Sequence, residues 1–329
     1  MTLTTNEQLS QLLAAYDLDR PQPTFLRHNE NRTYRVQDAG GRSYLLRIHD
    51  PYVPEMKGLQ HRYDGILAEL EMLERRGARS DEEVQVPVRS RAGELVTTFE
   101  ERERTLNVSL LTWLDGRDLQ KEDLYGEDMV GKLGGELAKL HAFFAEYAAP
   151  GMEARPHQGR AYNDRLAGVI RSGVAKGLFT AEDADTVEET LRLINDRLAG
   201  RGGEFGTDLI HGDIGLNNAI VTEDGGVRLI DFGFYGRGYR LTDVAMGAMM
   251  LPSDRRELFL AAYAGGKKWT EEELREIDGF MLVAILGYYV FQFGNVRMHD
   301  WMRERMPMLC ADKCRPFLAG ERMLERIAF

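Results

Sequence analysis

Cysteine is almost missing from this chain: 329 residues contain two, Cys310 and Cys314. Two thiols four residues apart build no disulfide framework, and such scarcity points to a reducing cytoplasm. On one helix face beside Met306 and Met308 they read as buried thiols rather than metal ligands. Long apolar runs are missing too. The longest candidate, residues 280–293, falls short of the roughly 20 residues a bilayer crossing needs. It contains Gly287, Tyr288, Tyr289 and Gln292, so it reads as a core helix and no membrane contact is expected. The opening MTLTTNEQLSQLL has neither a basic start nor an apolar centre, so no secretory signal is expected. Basic charge is in deficit, with 42 Lys and Arg against 53 Asp and Glu and a net charge of -11. That balance argues against a nucleic-acid binder and is compatible with a cationic small substrate.

Glycine fingerprints are absent as well. Residues 234–240 read as a loop punctuated by Gly236 and Gly238, without the strand–GxGxxG–helix context of a dinucleotide site. Gly265-Gly266-Lys267 lacks the upstream glycine of a phosphate loop and reads as a turn between helices. No repeat or low-complexity segment occurs. With 43% apolar and 29% charged residues, the composition is that of a globular protein able to bury a substantial core as one large domain or two lobes.

The informative stretch is 209–233, LIHGDIGLNNAIVTEDGGVRLIDFG. Leu209-Ile210, Ala219-Ile220-Val221 and 227–230 read as short strands, with a turn at 223–226. Asp213 and Asn218 then share a loop after one strand, Asp231 ends another, and three oxygen-bearing side chains converge at the open end of a small sheet. Phosphoryl transfer needs such a set: one acceptor to orient a substrate hydroxyl and take its proton, and hard oxygen ligands for Mg2+. Asp213 suits the first role, Asn218 and Asp231 the second. Individually they are ordinary turn formers and strand caps; the spacing of the full set is what carries the chemistry.

His211-Gly212-Asp213, Asn218 and Ile230-Asp231-Phe232-Gly233 resemble the catalytic and metal-binding loops of the aminoglycoside phosphotransferase/choline kinase family. This resemblance implies an α+β, bilobal protein-kinase-like fold, with a small antiparallel-sheet N-lobe (1–111), a hinge (112–116) and a larger, mostly helical C-lobe (117–329). It implies ATP and Mg2+ in the cleft and a small-molecule hydroxyl acceptor: an amino alcohol, a sugar or an aminoglycoside-like compound. Arg47 stands where the family usually has a phosphate-contacting Lys, and Glu69 is the helix residue expected to face it, with Glu71 and Glu74 as competitors in the same helix. An Arg supplies charge and a bidentate fork, though not the same geometry. The loop 28–32 lies where the family covers the phosphates, and here it has no glycine. Backbone groups of Thr112 and Leu114 would meet the adenine edge. His211 would fix the catalytic loop through backbone contacts, and Asp243 would brace it from the next helix. Two alternatives remain in this reading: a bacterial stress-response-type protein Ser/Thr kinase, which resembles the same family, and a nucleotide-binding regulator without catalysis.

The surrounding pattern supplies the expected elements. Helices are expected at 6–16, 60–76, 125–147, 163–175, 181–198 (capped near Thr180), 271–297 and 316–327. Strands are expected at 33–36, 43–48, 84–88, 94–99 and 106–111. His141 reads as a packed helix histidine. Tyr162, Asp164, Tyr288, Tyr289 and Asp300 are candidates for lining a pocket for a cation.

Overall fold

The computed structural model describes residues 4–53, 57–200 and 206–327. The chain divides into two compact units, Met1–Asp115 with Ala148–Arg155, and Gly116–Tyr147 with Pro156–Phe329.

The first unit contains α1 (Asn6–Leu13), β1 (Gln22–His28), β2 (Arg32–Gln37), β3 (Ser43–Ile48), α2 (Tyr63–Gly77), β4 (Thr97–Glu101) and β5 (Arg104–Thr112). Its strands form one antiparallel sheet in the order β1-β2-β3-β5-β4. Side chains alternate between the faces of a strand. One parity, Tyr34, Val36, Tyr44, Leu46, Ile48, Leu106, Val108 and Leu110, forms a core with Leu9, Leu12 and Leu13 of α1. The other parity sets Arg47 opposite Ser109 in the β3–β5 pairing. Thus the alternation that fills the core also turns a cation to the face that receives Glu69 from α2.

Three features of this sheet differ from expectation. β1 is not among the expected strands and contains Pro23; at the edge of the sheet it pairs, among the described residues, with β2 alone and tolerates a residue without N–H. Residues 84–88 are not a strand: they run beside β5 with a single bridge, Pro87 to Leu111. On either side of that bridge the Thr112 N–H donates to the Val86 carbonyl and the Val88 N–H to the Leu110 carbonyl, so the pairing asks no N–H of Pro87. The strand expected at 94–99 lies at Thr97–Glu101, where it pairs with the start of β5.

A buried ionic network holds the start of β2. Arg32, 3% exposed, donates to Asp50 and, at 2.7 and 2.8 Å, to both carboxylate oxygens of Glu101. Its hydrogen bonds hold Glu101 below the usual carboxylate range. Burial pushes Asp50 up, but Arg32 and Arg104 more than offset that and its net shift is downward. A carboxyl with a depressed folded-state pKa adds stability above its unfolded value and loses it as pH falls through the folded one. The urea midpoint of the wild type should therefore exceed that of Arg32→Met at neutral pH, and the gap should close on acidification below about 4.5, the ordinary Glu value. A gap that is constant with pH would show that these carboxylates contribute no pH-linked stability.

The second unit contains β6 (Arg117–Asp118), α3 (Glu127–Glu146), α4 (Arg160–Ala175), α5 (Ala181–Leu198), β7 (Asp208–Ile210), β8 (Ala219–Val221), β9 (Val227–Leu229), β10 (Gly236–Gly238), α6 (Arg240–Met249), α7 (Arg256–Ala264), α8 (Glu271–Phe291), α9 (His299–Leu309) and α10 (Arg315–Leu318). Capping boxes at Thr180/Asp183 and Thr270/Glu273 start α5 and α8. The apolar stripe of α3, Leu133, Leu137, Leu140 and Phe144, is buried, and α3 packs on α6 and α7.

The expected single small sheet is two. β7 pairs with β10, while β8 and β9 form a hairpin extended by β6. Gly236–Gly238, read as a loop, becomes a strand because β7 supplies its partner; glycine offers no local strand signal. The helix expected over 271–297 ends at Phe291, with Gly294 close behind. That expected over 316–327 stops at Leu318, where Gly320 takes the left-handed φ of +86°. Cys310 and Cys314 lie buried on a π-helical turn between α9 and α10, beside the buried Met306, while Met308 is exposed. Among the described residues no helix is long and apolar enough to cross a membrane.

Candidate active site

In the second unit the chain leaves β7 at Ile210 and turns at once. Gly212 has φ +79°, in the left-handed region that favours glycine, and a Cβ there would lie 2.7 Å from the Phe234 carbonyl oxygen. The turn is held from α6. Asp243, 0% exposed, accepts the His211 N–H at 2.7 Å on Oδ2 and the Gly212 N–H at 2.9 Å on Oδ1. These are the backbone contacts anticipated for an aspartate on the following helix.

His211 is fully buried, and both ring nitrogens are engaged. The Asp213 N–H donates to Nδ1 at 3.3 Å, so Nε2 carries the proton and donates to the Ile230 carbonyl at 3.0 Å. Its ring packs on Phe232 with centroids 4.5 Å apart. The histidine thus joins the Asp213 loop to the residue before Asp231 and has no free nitrogen for proton transfer.

Asn218 Nδ2 donates to the Asp213 carbonyl at 2.9 Å and to its carboxylate Oδ2 at 2.8 Å. With the nitrogen committed, the amide presents its oxygen as the remaining acceptor. Asp231 follows β9 with φ 63° and ψ 70°, a left-handed conformation that aspartate tolerates better than most residues. Burial, together with the negative charge of Asp231, pushes the Asp213 carboxyl up to about 6, against the opposing hydrogen bond from Asn218. Two carboxylates therefore stand within electrostatic reach, next to an amide oxygen.

This donor set fits a hard divalent cation that takes its remaining ligands from phosphate oxygens. Among the described residues no group of three or more His, Cys, Asp or Glu forms a self-sufficient metal cage. Mg2+ in nucleotide sites is commonly held by one or two carboxylates plus substrate phosphates.

Behind Asp243 lies a support that sequence reasoning did not identify. His141 of α3, read as a packed histidine, places Nε2 2.9 Å from Asp243 Oδ2 and Nδ1 2.8 Å from the Tyr263 hydroxyl on α7. Burial pushes the Tyr263 phenol up to about 12, so it keeps its proton and donates to Nδ1. That leaves the His141 Nε2–H to face Asp243. On the other side of the loop, Gln158 Nε2 donates to the Gly212 carbonyl at 3.0 Å. No local pattern marks either residue; they lie 102 and 54 positions from the groups they hold.

In the first unit Arg47 is 4% exposed. Its Nη1 donates to Glu69 Oε1 at 2.8 Å and its Nε to Ser109 Oγ at 3.3 Å. Arg155, fully buried, donates to the Gly65 carbonyl at 2.9 Å and lies 3.9 Å from Glu69 Oε2. Arg47 Nη2 is buried without a hydrogen-bond partner. A buried orphan donor on a guanidinium is costly unless an acceptor arrives, and an anionic oxygen meets that need. This is the fit of the site to a nucleotide phosphate. Thr112 is less available than expected: its N–H donates to the Val86 carbonyl at 2.8 Å, and its carbonyl accepts from Gln85 Nε2 at 3.3 Å. Leu114 is free of such competition, since no hydrogen bond engages its backbone among the described residues.

Of the residues considered for a cation pocket, Tyr288 and Tyr289 both pack on Trp301, and Tyr162 lies beside Gly287 of the same helix. Asp164 accepts from Asn195 Nδ2 at 2.8 Å, Asp300 pairs with Arg303 at 2.6 Å, and Tyr289 is buried against Trp301. Tyr288 is 46% exposed, and a Cβ on Gly287 would meet the Tyr162 hydroxyl at 2.6 Å.

Known proteins resemble this chain in sequence and in fold. A Deinococcus radiodurans protein described as uncharacterized is 26% identical over 297 residues, 85% of this chain and 79% of its own length. The fold is that of a microcompartment-associated aminopropanol kinase, with TM-score 0.73 and 19% identity over 98% of this chain and 99% of that one. It is equally that of an amicoumacin kinase solved with AMP-PNP, Ca2+ and Ami, with TM-score 0.73 and 18% identity over 94% of each chain. The architecture is therefore the bilobal, kinase-like α+β fold. Residues 23–277 match the profile of the phosphotransferase enzyme family, which spans both units and every residue of the loops described above. The chain belongs to the phosphotransferase enzyme family.

Proposed function

We propose that this enzyme transfers the γ-phosphoryl group of ATP to a hydroxyl of a small molecule that also carries an amine. The observation that carries this reading is the Asp213–Asn218–Asp231 set. It joins a half-buried carboxyl, pushed up to about 6, to an amide whose nitrogen is already spent on that carboxyl and a second carboxylate close by. Asp213 orients the acceptor hydroxyl and takes its proton as the new O–P bond forms and the bond to ADP breaks. Asn218 and Asp231 hold Mg2+, which when bound supplies positive charge to the phosphate oxygens. Arg47 offers Nη2 to a nucleotide phosphate, while Glu69 keeps its guanidinium in place; Leu114 offers its backbone to the adenine edge. Positioning and charge complementarity carry most of the rate in such a site.

The amine in the acceptor is supported by the net charge of -11 and by the substrate for which the aminopropanol kinase is named. The test is an ATP-consumption screen with Mg2+ over aminopropanol, ethanolamine, choline, homoserine, aminoglycosides, simple sugars and a generic protein substrate. Amino alcohols or aminoglycosides should score, and the signal should vanish in Asp213→Ala. Phosphate appearing only on the protein substrate would overturn the small-molecule reading. ATP binding with no transfer to any acceptor would favour a regulator.

A further inference from the structure

Gln158 sits in the connector before α4, where the sequence offers no functional signal. It is 9% exposed and doubly anchored. Its own N–H donates to the Arg237 carbonyl of β10 at 2.8 Å, and the neighbouring His157 forms a parallel bridge with the same Arg237. From that fixed base its side-chain amide reaches the Gly212 carbonyl at 3.0 Å. The carbonyl belongs to the peptide unit whose N–H is that of Asp213, and that N–H is held by His211 Nδ1 at 3.3 Å. The preceding peptide is held by Asp243 through the Gly212 N–H. The Gly212 N–H and both polar groups of the peptide that follows are thus clamped, and Gln158 supplies the clamp on the carbonyl.

We propose that Gln158 is a positioning residue that fixes the Gly212–Asp213 peptide plane and so aims the Asp213 carboxylate. The inference rests on the reading of Asp213 as the group that receives the acceptor's proton. A glycine with left-handed φ has the freest backbone in the loop, so the peptide following it is the one most able to swing. Such a swing moves the Asp213 side chain without disturbing the bonds that Asp243 makes to the loop. A Cβ on Gly212 would lie 2.8 Å from Gln158 Nε2, so glycine at this position also makes room for the clamp. A displacement of about 1 Å at a reacting group can lower the rate roughly 100-fold.

Two substitutions in the full chain test it. Gln158→Met keeps the length and removes the donor; Gln158→Glu keeps the shape and sets an acceptor against the carbonyl. Transfer from ATP to aminopropanol should be followed, with phosphate release from MgATP used if that acceptor is silent. Binding of a fluorescent ATP analogue and the urea midpoint are read alongside. In both variants kcat should fall about 10- to 100-fold, while KM for ATP and nucleotide affinity stay within about twofold. Amide exchange over residues 209–218 should quicken. Wild-type kcat in either folded variant overturns the proposal. So does an equal loss of nucleotide affinity and kcat, which marks a general structural defect. If Gln158→Met does not fold, Gln158→Glu is read by the same criteria. Asp213→Asn, run in parallel, separates the two ideas: an active Asp213→Asn defeats the reading of Asp213, whereas an inactive one with active Gln158 variants defeats only the clamp.

Discussion

Replacement of Asp213 by asparagine is expected to lower kcat by about 10³-fold or more, equivalent to roughly 4 kcal/mol of transition-state stabilisation. The substitution keeps volume and leaves one oxygen to accept from Asn218 Nδ2, so the loop should hold its shape. What disappears is the second oxygen and the ability to take a proton. Binding of the nucleotide should survive, because the groups proposed to contact it, Arg47 and Leu114, belong to the other unit of the chain. Steady-state transfer to the acceptor found in the screen, together with equilibrium binding of an ATP analogue, reads both quantities. Activity within tenfold of wild type would remove Asp213 from the chemistry. Loss of nucleotide binding in proportion to kcat would mean that the substitution had damaged the fold instead.

Replacement of Asp243 by alanine is expected to act on stability as well as on rate. Three buried groups converge on its carboxylate: the N–H of His211 at 2.7 Å, the N–H of Gly212 at 2.9 Å and His141 Nε2 at 2.9 Å. Removing the acceptor strands at least two buried backbone donors, each worth about 1–3 kcal/mol when left unsatisfied. A total loss on the order of 3–5 kcal/mol follows, a large part of the stability of an ordinary domain. Asp243→Asn should fall between alanine and wild type. It keeps one acceptor oxygen and turns an NH2 group towards a donor. Urea unfolding followed by tryptophan fluorescence measures the stability, and kcat is expected to drop in step with the disorder of the loop. A midpoint for Asp243→Ala that corresponds to less than about 1 kcal/mol of destabilisation would show that water or a neighbour replaces the carboxylate, against the cost expected for stranded buried donors.

How much of this was legible in the sequence depended on how far apart the interacting residues lie in the chain. His211, Asp213, Asn218 and Asp231 fall inside one short stretch, so their convergence is built from two tight turns and a hairpin that local chemistry already signals. Arg47 and Glu69 lie on a strand and a helix whose periodicities of two and 3.6 are visible in the apolar residues around them, while their pairing, at 2.8 Å, is what the family resemblance implied. By contrast, β1 is not among the expected strands, and its Pro23 is acceptable only because that strand lies at the sheet edge. β10 was hidden by its glycines and exists because β7 runs beside it. Thr112 looked as available as Leu114, yet residues 85–86 occupy its backbone.

By itself, then, the sequence determined the order of the elements, the alternation that buries one face of the first sheet, and the local geometry of the loops that carry the acidic residues. These rest on short-range steric preferences and on the separation of apolar from polar side chains, both written in neighbouring residues. Asp243 was expected from the family resemblance, but only the tertiary structure decided the other distant groups that hold those loops: His141 behind Asp243 on one side of Gly212, Gln158 on the other, and Arg155 beside Glu69. A buried backbone donor or acceptor must find a partner, but nothing in its own neighbourhood says from where, and packing alone settles which side chain comes within 3 Å.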